Sequence, residues 1–159
     1  MGAASARLYN NFLIFDIIFP MIELDNRTPL QIDTDIVEKI ADFLTKKEIE
    51  LIITDSQEMK EINKTHRDIE KDTDVLSFPY EDMPMCPLGS IVISSFYVEE
   101  KAKELGHSQN DEFALLFIHG LLHLLGYDHE IDSGEMREKE AELIRKFNLP
   151  QSLIVRTEG

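Results

Sequence analysis

The chain has a single cysteine, Cys86, in 159 residues. One thiol excludes an intrachain disulfide, so a packed core must hold the fold, and cysteine usage gives no sign of an oxidising compartment. Long apolar runs are also missing. The most apolar stretch near the start, Phe12 to Ile22, is interrupted by Asp16 and Pro20, whereas a membrane-spanning helix needs about twenty unbroken apolar residues. A signal peptide would need a stronger basic start than Arg7 alone, so a cytoplasmic protein with no membrane partner is expected. Positive charge is scarce: 16 Lys plus Arg stand against 31 Asp plus Glu, a formal net charge of −15. That balance argues against a non-specific DNA or RNA binder, whose affinity comes largely from neutralised phosphates, and DNA is not expected as a partner. It leaves room for a nuclease whose cation and substrate contacts are confined to a small cleft. No repeat, linker or low-complexity segment is present.

A chain of this length suits one domain over residues 1–159 and buries about 68–70% of the surface of its extended form. Residues 1–9 and 151–159 read as loose ends. From Phe12 to Leu24 the composition favours one or two strands. Asp33 or Thr34 can cap a helix over 34–46, in which Ile36, Val37, Ile40, Ala41 and Leu44 keep a helical period. Ile49–Thr54 is a strand, and Asp55 or Ser56 caps a helix over 56–65. Residues 66–72 read as a polar loop. Val75–Phe78 and Leu88–Ser95 are strands close enough in sequence to pair antiparallel, and a helix runs from Val98 to Leu105. Asn110 or Asp111 caps a strongly apolar helix, and Asp132 or Ser133 starts a last one reaching Phe147. Strands alternating with helices point to an α/β sandwich rather than a bundle.

The apolar helix carries the chemistry. His119 and His123 sit one turn apart on one helical face. Gly126 can take the left-handed conformation that ends a helix, and the returning chain brings His129 towards the first two. Two imidazoles fixed on a helix and a third delivered past a glycine make three corners of a tetrahedral Zn²⁺ site, with the fourth left for water. Being apolar nearly all round, the helix should be central and covered on several sides. The spacing matches the HExxHxxGxxH of metzincin peptidases, but Gly120 stands where those enzymes place the glutamate general base, which counts against a peptidase or other amide hydrolase.

The segment His119-Gly120-Leu121-Leu122-His123-Leu124-Leu125-Gly126-Tyr127-Asp128-His129 closely resembles the signature of the YbeY-like metalloproteins, bacterial endoribonucleases linked to ribosomal RNA maturation. Asn63, Arg67 and Thr73-Asp74-Val75-Leu76-Ser77-Phe78-Pro79 resemble a second motif of that family. Leu88-Gly89 with Ile91-Val92-Ile93-Ser94 resembles a third, and Met136 with its acidic neighbours resembles the helix after the third histidine. One departure is Ser90, where the family usually has aspartate.

The resemblance implies a small α/β domain. Its mixed sheet has about four strands packed with about five helices, and the three-histidine site lies on a central helix and the turn after it. It also implies a single-strand-specific endoribonuclease acting on the 3′ end of small-subunit ribosomal RNA and in ribosome quality control. Partners would be the ribosome or small-subunit assembly proteins. Two other readings are a non-catalytic assembly factor stabilised by its metal, which the acidic charge favours, and a metal-dependent amide hydrolase.

In that frame His119, His123 and His129 are the metal ligands and hold the reactive water. Neutral imidazoles suit one Zn²⁺ per chain and would also accept Ni²⁺ or Co²⁺. A single ion gives no support to a two-metal mechanism. Arg67, by itself a surface arginine, becomes the group that binds the scissile phosphate through its guanidinium fork. Asp74 either caps backbone amides or orients a ligand or water. Asp128 either accepts a proton from a ligand imidazole or caps the following turn. Ser77 reads as a strand hydroxyl, Tyr127 as packing and His107 as an imidazole suited to a helix end. His66, in the polar loop beside Arg67, is a possible RNA contact, and Cys86 lies too far from the motif to be assigned.

Overall fold

The computed structural model describes residues 3–9, 12–18, 21–151 and 153, the first two segments as backbone. Four strands form a mixed sheet in the order β3 (Ile22–Asn26), β4 (Ile49–Thr54), β6 (Gly89–Ser94) and β5 (Val75–Pro79). β3, β4 and β6 run parallel, and β5 closes the edge antiparallel to β6, with Val75 opposite Ile93 and Pro79 opposite Gly89. The parallel pairs need crossovers, which α1 (Asp35–Leu44) and the segment containing α2 (Ser56–Arg67) supply. The short link from β5 to β6 permits the antiparallel turn that the sequence spacing suggests.

The two faces of the sheet are unequal. Ile49, Leu51 and Ile53 of β4 and Ile91 and Ile93 of β6 point into the main core with α1, α4 (Gln109–Leu124) and α5 (Glu135–Lys146). On the other face Ile52 and Val92 pack with Leu76 and with Met59 of α2 in a small second cluster. Val98 joins α3 (Ser95–Leu105) to the main core.

Helix α4 is the central element, as its apolar surface predicts. Eleven of its residues are buried, including Phe113, Phe117, Leu121 and Leu122. Its cap lies two residues before the expected Asn110. The Ser108 hydroxyl accepts from the Asp111 amide at 3.0 Å, while the Asn110 side chain is engaged by the Asp33 amide at 2.9 Å. Its end is as expected: Gly126 adopts φ +100°, Gly126 N–H donates to the His123 carbonyl, and Tyr127 N–H donates to the Leu122 carbonyl. These two bonds close the helix and turn the chain back.

Other boundaries also moved. Residues 66–72 read as a loop, yet α2 continues through His66 and Arg67 and ends at Asp68, which is left-handed at φ 56°. Lys64, His66 and Arg67 occupy that last turn, where positive side chains suit the helix dipole. The last helix starts at Glu135, because the Asp132 carboxylate accepts from the amides of Gly134 and Met136 one turn earlier in the chain. Those two bonds hold the Asp132 carboxyl below its usual range.

The chain ends depart further. Ala3–Tyr9, expected to be loose, forms β1, paired antiparallel with β2 (Phe12–Ile18) as a separate two-stranded sheet. Alternation of Ala4, Ala6 and Leu8 with Ser5, Arg7 and Tyr9 is the strand pattern that a composition-based reading passed over. At the other end Leu153 is buried in the main core. Residues 152 and 154–159 of the expected tail lie outside the described residues. Among the described residues no helix is long and apolar enough to cross a membrane.

Candidate metal centre

Helix α4 lies so close to the sheet that a side chain at Gly120 has no room. A Cβ there would stand 2.9 Å from Ile91 Cγ2 and 3.2 Å from Ser77 Oγ. The Ser77 hydroxyl instead donates to the Gly120 carbonyl at 2.9 Å, which fixes Ser77 as a strand-to-helix tie, in line with its reading as a structural hydroxyl. The glycine also explains the missing glutamate of the peptidase pattern. Position 120 faces the sheet, so a carboxylate there would be driven into the core.

With Gly120 against the sheet, His119 and His123 project from α4 into a cleft of about 520 Å³. Its other walls are the end of α2 with His66 and Arg67, the Thr73-Asp74 loop, strand β5, and the turn carrying Asp128, His129 and Glu130. The ring centroids of His129 lie 5.4 Å from His119 and 5.6 Å from His123, and the first two are 4.7 Å apart. One nitrogen from each ring lies within 4.8 Å of the others. The Nε2 atoms of His119 and His123 are 3.1 Å apart, close to the roughly 3.3 Å that tetrahedral bonds of about 2.0–2.1 Å impose on two nitrogens. Three imidazoles in this arrangement can coordinate one divalent cation.

The protonation pattern suits that task. His119 Nδ1 lies 2.8 Å from Glu140 Oε1. With the carboxylate as acceptor, Nδ1 carries the proton and the Nε2 lone pair is turned towards His123. Glu140 is 4% exposed, so the bond is shielded from water. Burial is the main cause that lowers the pKa of His123 from 6.5, and the neighbouring His119 and His129 add to it, against a hydrogen bond to the backbone at Tyr127. His123 therefore keeps a free lone pair at neutral pH.

Glu140 is the residue that the sequence reading missed. The apolar contacts of the last helix draw attention away from it. The signal was available: Glu140 falls one turn after Met136 and one turn before Ile144, and both of these are buried. A carboxylate within an apolar stripe needs a partner.

The remaining expected residues divide. Arg67 and Asp74 both line the cleft. Asp74 Oδ1 accepts from the Val75 amide at 2.8 Å, the capping alternative. Asp128 lines the cleft as well, and its carboxylate accepts from the Glu130 amide at 3.0 Å, so it caps the turn that presents His129. Ser90 is not on the cleft. It is buried on β6, opposite Glu50, and contacts the Tyr80 hydroxyl that bonds Glu50. The departure from the family pattern therefore lies away from the three histidines. His107 is not a simple helix-end group, since its Nε2 lies 2.8 Å from the fully buried carboxylate of Glu112.

Comparison with known proteins agrees with this geometry. The sequence model of a family described as Endoribonuclease YbeY matches residues 22–148. Endoribonuclease YbeY of Sulfurimonas denitrificans is 70% identical over 139 residues, covering 87% of this chain and 100% of that protein. The Helicobacter pylori protein of the same name is 57% identical over 139 residues, covering 87% and 99%. The solution structure of TM1509 from Thermotoga maritima is 28% identical, with a TM-score of 0.55 over 79% of this chain and 88% of its own.

Two outcomes are expected at this centre. Replacing Glu140 by Leu should weaken divalent-metal affinity about 10- to 100-fold in a chelator competition, and unchanged affinity would remove Glu140 from the site. In the metal-free protein, His123 should titrate by NMR with a midpoint below 6.5. The unfolded chain then takes up that proton first, so acidification through this range costs stability, and a midpoint above 6.5 would reverse the sign.

Proposed function

The chain belongs to the YbeY endoribonuclease family, and on that premise we propose that it is a metal-dependent, single-strand-specific endoribonuclease that matures the 3′ end of small-subunit ribosomal RNA. The observation that carries the proposal is the convergence of three imidazole nitrogens and Arg67 on one cleft.

His119, His123 and His129 would hold one Zn²⁺, and the same neutral donors would accept Ni²⁺ or Co²⁺. A divalent ion with only neutral ligands keeps its full charge and supplies both an acidified water and polarisation of a phosphoryl oxygen. Glu140 holds the His119 ring in the tautomer that offers Nε2. Asp128 shapes the turn behind His129, and Asp74 fixes the start of β5 through the Val75 amide. Arg67 binds the scissile phosphate, and its position at the C-terminal end of α2 sets it on the cleft wall. The acidic body repels RNA elsewhere, so productive binding is confined to this cleft or is assisted by the ribosome and its small-subunit assembly proteins. A cytoplasmic location goes with that role.

The test is cleavage of a labelled 3′ fragment of small-subunit ribosomal RNA by the wild type and by His123→Ala, each verified as folded. Activity should fall by at least about 10³-fold, as expected when the group that positions and activates the attacking water is lost. Equal cutting by the two proteins would end the catalytic assignment and leave a metal-stabilised assembly factor as the reading.

A further inference from the structure

Affinity for RNA is hard to obtain from charge on this molecule. The formal net charge is −15, and Asp74, Asp128 and Glu130 share the cleft walls with Arg67. Among the described lining residues, Arg67 is the one side chain that is cationic at every physiological pH. Binding through phosphates alone needs several such groups. The cleft offers something else. His66, exposed in the last turn of α2, has its ring centroid 5.1 Å from that of Phe78 on β5, and the two planes are tilted by 54°. Both rings line the cleft next to Arg67. Phe78 packs on the Met59, Leu76 and Val92 cluster, which anchors the pair from below, and His66 remains accessible.

We propose that His66, backed by Phe78, is a stacking subsite for one unpaired nucleobase of the RNA whose phosphate is bound at Arg67. This rests on the endoribonuclease reading and adds to it the contact that recognises a single strand. Every nucleobase has a π-face, so stacking on an aromatic ring tolerates any sequence. In a duplex both faces of a base are already covered by its neighbours, so the subsite selects unpaired RNA by geometry. His66 and Arg67 both line the cleft from one helix end, so a base and a phosphate of the same strand can be engaged together.

The competing explanation is that a protonated His66 attracts phosphate. Substitutions that separate ring from charge decide between them, and all fall on an exposed position. The assay uses the metal-loaded full chain and a single-stranded oligoribonucleotide containing 2-aminopurine, with KM, kcat and fluorescence quenching read for each variant. His66→Ala should raise KM about 5- to 150-fold, the equivalent of one lost base–aromatic stack. It should also abolish quenching, with kcat less affected. His66→Phe should restore KM and quenching, and His66→Lys should restore neither. Rescue by lysine but not phenylalanine, or a KM indifferent to all three substitutions, would overturn the proposal while leaving the endoribonuclease reading intact. A wild-type protein that neither binds nor cuts the RNA would overturn both.

Discussion

The contact on which the rest depends is the close approach of α4 to the sheet at Gly120. A helix this near to β5 and β6 has one rotational setting, because Ile91 and Ser77 fill the space where a side chain would stand. That setting points His119 and His123 at the cleft and directs Phe113, Phe117, Leu121 and Leu122 into surroundings that exclude water. A buried helix gives its ligands little freedom, which lowers the reorganisation needed to grip an ion. The Schellman-type closure at Gly126 then turns the chain so that His129 joins the other two rings.

Buried charge supports this arrangement from behind. Among the described residues Glu140 and Glu112 are the two buried glutamates, and each faces an imidazole at 2.8 Å. An isolated carboxylate would be costly at such depth, and a charge-assisted hydrogen bond offsets part of that cost. In Glu140 the same bond links α5 to a residue of the metal centre, so packing of the last helix and orientation of His119 are one problem rather than two. Acidic side chains reach the cleft as well, where Asp74, Asp128 and Glu130 stand beside Arg67 and the three imidazoles.

Much of this was legible in the residues alone. The strand Ile49–Thr54, the apolar helix with its glycine stop and the spacing of the three histidines follow from periodicity and turn chemistry, and they hold in the fold. Periodicity could not reveal what depends on distant partners. Asn110 looks like a cap until the Asp33 amide occupies it. Glu140 looks like a surface glutamate until the stripe on its helix is set against His119. His66 and Arg67 read as a loop because their polarity hides the helix that runs through them to Asp68. The parallel order of β3, β4 and β6 rests on long-range pairing that no local window contains.

The most direct measurement is X-ray absorption at the metal edge of the loaded full chain, together with the metal-to-protein ratio. One ion per chain with three imidazole nitrogens and an exchangeable oxygen in its shell is the predicted result. Sulfur from Cys86, a protein carboxylate completing the shell, or fewer than three imidazoles would contradict a centre built from His119, His123 and His129.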